Sequence, residues 1–147
     1  MIASTGLNLR INAIPNASGQ CLVITDTAIS GATSISGASY TNTIPGAGTT
    51  TLYAIDSGAD NFVRIGNDPA NGVANDPGNP NSGVATTIGS LGIGDVAGTD
   101  AFLIDARNNA ALLATGAAGA TVSIRTFKVS DKLDRLPAAS STSARSA

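Results

Sequence analysis

Apolar and polar positions in this chain change over in short runs. β-branched and aromatic residues come in groups of four to nine, separated by clusters of Gly, Asn, Asp and Pro. Such runs are too short for helices and suit strands bounded by turns. They predict strands at 7–12, 21–26, 35–41, 49–56, 61–65, 84–90, 100–106, 110–115 and 120–128. Val122 and Ile124 alternate with Ser123 and Arg125, the period of a strand with one buried face. The run Ala101 to Asp105 lacks alternation and is expected to be buried on both faces. Glycines interrupt almost every window long enough for a helix, which leaves only Ser130 to Leu136 as a candidate for one or two turns.

The strands resemble one another. Leu9-Arg10-Ile11-Asn12 matches Val63-Arg64-Ile65-Gly66 at an offset of 54, and Gly19 to Ile29 matches Gly83 to Ile93 at 64. The ten-residue difference falls within 66–83, a run of Gly, Asn, Asp and Pro. Further on, Ala38 to Thr41 matches Ala101 to Ile104 at 63, and Thr50 to Ala54 matches Ala111 to Thr115 at about 60. The expected fold class is all-β, with antiparallel four-stranded repeat units of propeller-blade type. A closed propeller takes typically four to eight blades, so two and a fraction units imply an incomplete propeller or part of an oligomeric one. A sandwich of two similar sheets is the alternative. Residues 1–136 form the expected single domain. The polar run 137–147 has the composition of a linker or tail.

The elements Gly6 to Asn12 (GLNLRIN), Ala38 to Asn42 (ASYTN), Thr49 to Ser57 (TTTLYAIDS), Asn61 to Arg64 (NFVR) and Ile88 to Gly92 (IGSLG) occur in an order that resembles a bacterial family catalogued only as a domain of unknown function. The resemblance covers about residues 4–115. It implies a propeller-like fold, an extracellular or periplasmic location, and a chain that is a partial copy of the family's repeat. It implies no catalytic residues.

Composition narrows the chemistry. There is no His and no Glu, so imidazole bases, Ser-His-Asp triads and ordinary zinc sites are excluded. Net charge is −2, and charged residues make up 12%, against roughly 25% in an average domain, which argues against nucleic acid as a partner. No apolar run reaches the roughly 18 residues of a membrane span, and the first residues lack the pattern of a signal peptide. Cys21 is the single cysteine. Its apolar neighbours predict a buried structural thiol.

The oxygen-rich loop is the candidate site. Asp68, Asn71, Asp76 and Asn79 are the residue types that hold Ca²⁺, without the spacing or closing Glu of an EF-hand. Asn67, Asp68, Asn75, Asp76 and Asn81 make it a candidate binding loop, because an enlarged loop on a rigid scaffold is a common place for contacts. Asn and Asp before Pro or Gly are equally the residues of tight turns. Asp56 with Asp60, and Asp95, Asp100 and Asp105, are read as turn acceptors rather than acid/base pairs. The expected function is a non-catalytic binding or self-assembly module, a homo-oligomer or part of a larger assembly, with no cofactor beyond Ca²⁺. The alternative is a metal-dependent hydrolase or lactonase of propeller type.

Overall fold

Within each sheet every strand pairs antiparallel with its neighbour in the chain, the arrangement that turn-bounded strands favour. The structure, a computed structural model, describes residues 1–47, 50–66, 80–96, 99–116, 123–128 and 140–142. Strands β1 (Leu9–Ile11) and β2 (Val23–Thr25) form an N-terminal pair. Strands β3 (Ile35–Tyr40), β4 (Leu52–Asp56), β5 (Asn61–Ile65) and β6 (Ala85–Ser90) follow as a four-stranded meander, the central sheet. A second meander, the C-terminal sheet, contains β7 (Thr99–Ile104), β8 (Ala110–Thr115), β9 (Ser123–Lys128) and β10 (Ser140–Thr142). All nine expected strands are present. β10 is an addition: part of the polar run after Pro137 pairs with β9 of the same chain. Among the described residues the only helical element is a 3-10 turn at Pro80–Ser82; the candidate turn at 130–136 lies outside them.

The central sheet is buried on both sides, and every residue of β4 is buried. Tyr53, Ile55 and Phe62 face the C-terminal sheet and share a core with Ile104, Ala111 and Leu113. Tyr53 stacks on Phe62 with ring centroids 5.0 Å apart, and Phe102 meets Phe62 edge-on at 6.1 Å. On the other face Leu52, Ala54, Val63 and Ile65 pack with Ile2, Ile29 and Ala32 from the N-terminal segment. Each large apolar side chain buried this way contributes about 1.5–3 kcal/mol.

Burial departs from three sequence expectations, each because of which sheet has a layer on each side. In β7, Ile104 is buried whereas Leu103 is 48% exposed, so this strand has one buried face rather than two. In β9, Ile124 is 42% exposed although the alternation marks it for the core. Both residues lie on the side of the C-terminal sheet turned away from the central sheet. Cys21 is exposed, as are Leu22 and Val23; β2 belongs to a two-stranded sheet, and among the described residues no further sheet covers the face that carries Val23.

Two registers repeat. Leu9, Arg10 and Ile11 pair with Thr25, Ile24 and Val23, and Val63, Arg64 and Ile65 pair with Thr87, Thr86 and Ala85. The next bond also agrees: the Asn12 N–H donates to the Leu22 carbonyl at 2.9 Å, and the Gly66 N–H to the Val84 carbonyl at 2.8 Å. The first strands correspond at an offset of 54 and the second at 62, so the later connection is longer by eight residues, not ten. Likewise the Thr41 N–H donates to the Thr51 carbonyl at 2.9 Å and the Asp105 N–H to the Ala110 carbonyl at 2.8 Å. Hydrogen bonding therefore matches β7 to β3 at 64, one residue from the sequence match, and β8 to β4 at 59, two residues from it. A one-residue shift turns every side chain to the other face. Leu103 thus stands where Ser39 stands, not where Tyr40 stands.

Candidate functional site

The N-terminal pair is held to the central sheet along one seam. The Ser30 N–H donates to the Gly83 carbonyl at 2.9 Å, and the Ala85 N–H to the Ser30 carbonyl at 2.8 Å. Gly83 has φ +68, and a Cβ there would lie 2.4 Å from the carbonyl oxygens of Thr27 and Ala28, so only glycine fits. Asn8, 6% exposed, donates from its amide to the carbonyls of Thr27 at 3.3 Å and Pro80 at 3.1 Å. The Thr27 N–H donates to the Asn81 carbonyl at 3.2 Å. The C-terminal foot of the 66–83 loop is thereby fixed beside the end of β2.

Beyond this seam lies a cleft of about 570 Å³, walled by β1 on one side and by β3 and Leu52 on the other, with Pro80 and Asn81 at one end. Its volume falls within the roughly 300–1,000 Å³ of ordinary ligand sites. Arg10 Nη2 and Asp26 Oδ1 pair at 3.1 Å on its wall, with the Arg10 side chain 52% exposed. The Asp26 side chain is only 8% exposed, and a half-exposed pair of this kind contributes about 1 kcal/mol. Tyr40 also lines the cleft. Burial raises its pKa above the ordinary value, the Asp26 carboxylate raises it further, and Arg10 partly opposes both. Tyr40 therefore stays a neutral donor and acceptor. Ser36 Oγ is buried at the wall with no hydrogen-bond partner among the described residues.

One edge of β1 opens into this cleft. Alternation turns the backbone of Leu9 and Ile11 away from β2. Leu9 is met there by Met1: the Leu9 N–H donates to the Met1 carbonyl at 2.8 Å, and the Met1 ammonium to the Leu9 carbonyl at 2.6 Å. Ile2 bridges Asn8 in the same antiparallel sense. Ile11 is next on that edge, and no strand lies opposite it among the described residues.

Of the residues singled out in the sequence, only Asn81 reaches this site. Asn67, Asp68, Asn71, Asn75, Asp76 and Asn79 lie outside the described residues. Among the described residues no group of three or more Asp or Cys side chains converges to hold a metal ion. Asp56, Asp60 and Asp105 accept backbone N–H bonds, some across long stretches of chain. Asp56, 3% exposed, accepts from the N–H groups of Thr33, Ser34 and Gly58 at 2.9, 2.8 and 3.2 Å. Asp60 accepts from the Val96 N–H at 2.9 Å, and Asp105 from the Arg107 N–H at 2.9 Å. Arg10 and Tyr40 lie in the recurring elements GLNLRIN and ASYTN, but nothing in the sequence joined them to Asp26 and Ser36, because no local spacing links these positions.

These features define an all-β protein of antiparallel sheets, with a polar cleft beside an open strand edge. The chain belongs to the family described as a domain of unknown function (DUF4394), whose profile matches residues 1–131. No curated protein and no solved structure matches it. No helix among the described residues is long and apolar enough to cross a membrane.

Proposed function

We propose that the chain is a non-catalytic binding and assembly module whose sheets are layers of propeller-blade type. The repeated registers support the layered reading. So does the packing: the face with Ile2 lies on the Leu52 and Ala54 face of the central sheet, and the face with Ile55 lies on the Ala111 and Leu113 face of the C-terminal sheet. Motif resemblance supports an exported, extracellular or periplasmic protein.

The cleft beside β1 carries the binding function. Its ligand is an extended strand that continues the Met1–Leu9 pairing along the free edge toward Ile11. Strand addition of this kind draws affinity from main-chain bonds and specificity from alternate side chains. In the central sheet the corresponding place beside Ile65 is held by Leu52 of β4. The probe is therefore a peptide of residues 48–53, whose Leu52 meets Ile11 without overlapping Met1 and Ile2, titrated into the protein and followed by amide NMR shifts of Arg10 to Asn12. Binding is expected in the wild type and lost in Ile11→Pro, which removes the edge N–H. Unchanged shifts at saturating peptide would overturn the reading.

A further inference from the structure

The two internal sheet junctions are built alike, and the two outermost faces of the stack are the two halves of the same junction. By hydrogen-bond register, Ala111 and Leu113 stand where Leu52 and Ala54 stand. By the pairings of β1, Ile2 stands where Ile55 stands, opposite Asn8 as Ile55 is opposite Phe62. Each layer thus sets its isoleucine face on the next layer's Leu52-type face. The stack runs in one direction, and each junction uses two different surfaces.

That leaves an isoleucine-type face at one end and a Leu52-type face at the other. On the C-terminal sheet the outer face carries Leu103, Leu112, Ala114 and Ile124, with Ala114 opposite Ile124 as Ile55 is opposite Phe62. Leu103 and Ile124 are 48% and 42% exposed, whereas Ile55 and Phe62 are 0% and 1%. On the N-terminal pair the outer face carries Met1, Leu9, Ile11 and Val23. Ile11 and Val23 are 51% and 54% exposed, whereas Ile65 and Ala85, which hold the corresponding places in the central sheet, are 0% and 8%. Register and apolar side chains therefore equip each outer face for the layer that its counterpart inside the stack receives.

We infer that a second copy of this chain stacks head to tail on the first, the Leu103/Ile124 face of one copy covering the Ile11/Val23 face of the next. The inference rests on the layered reading above and not on strand binding in the cleft. An interface between two different surfaces leaves one of each free on every assembly, so it closes into a ring or extends as a fibre.

The test uses two surface variants of the full chain, Leu103→Asp and Val23→Asp. Both side chains are exposed, so circular dichroism is expected to match the wild type. By light scattering and native mass spectrometry the wild type is expected to associate with rising concentration, and each variant alone to stay monomeric. An equimolar mixture of the two is expected to form a 1:1 heterodimer through the one intact face of each. A wild type that remains monomeric, a variant that still self-associates, or a mixture that stays monomeric overturns the proposal. Peptide binding at the β1 edge is read separately by NMR on Leu103→Asp, so loss of stacking does not register as loss of strand binding.

Discussion

Asn42 and Asn109 clasp each other across the central and C-terminal sheets. The Asn109 amide donates to Asn42 Oδ1 at 3.0 Å, and the Asn42 N–H donates to Asn109 Oδ1 at 3.1 Å. Both residues are left-handed, with φ of 51 and 53, a conformation Asn tolerates better than most residues. Asn109→Ala loses both bonds and keeps the strain, at an expected cost of about 2–3 kcal/mol in urea unfolding. Asn109→Gly relieves the strain and is expected to cost about 1 kcal/mol less. Equal effects for the two would refute this assignment.

Gly83 and Gly92 separate close approach from conformation. Both have positive φ, but a Cβ at Gly92 meets nothing within 4 Å, whereas at Gly83 it meets two carbonyl oxygens at 2.4 Å. Gly92→Ala is expected to cost about 1 kcal/mol. Gly83→Ala adds overpacking of about 1–3 kcal/mol and loosens the seam. Hydrogen exchange should then rise at Ser30 and Ala85, whose N–H groups span that seam.

Tyr40 gives a pH dependence. Its folded pKa is raised, chiefly by burial, so its contribution to stability is present below the ordinary tyrosine range and is lost as pH rises through the folded pKa. Asp26→Asn removes a raising charge and is expected to lower the pKa; Arg10→Ala removes the lowering charge and is expected to raise it further. Phenolate absorbance in a Tyr53→Phe background, which leaves Tyr40 as the only tyrosine, reads both shifts. Shifts of the opposite sign would show that these charges do not act on the hydroxyl.

Cys21 is exposed on the outer side of the stack. A thiol reagent should label it fully in native buffer at a rate close to that in denaturant. A rate that rises steeply on unfolding would place it in a core.

The sequence by itself determined the local structure. Short β-rich runs between Gly, Asn, Asp and Pro specified nine strands, and the missing His and Glu removed whole classes of chemistry. It also paired Leu9 to Ile11 with Val63 to Ile65 correctly, since identical local patterns need identical local pairing. It could not assign faces. Hydrogen-bond phase, set when strands actually pair, shifted the β3–β7 match by one residue and so decided that Leu103 takes the place of Ser39 rather than of Tyr40. Burial of Cys21, Leu103 and Ile124 depended on which sheets carry a further layer, a property of the stack and not of any strand. The cleft was illegible for the same reason: Arg10, Asp26, Ser36 and Tyr40 become neighbours only when the N-terminal pair is fastened at Gly83 and Asn8 to the sheet beside it.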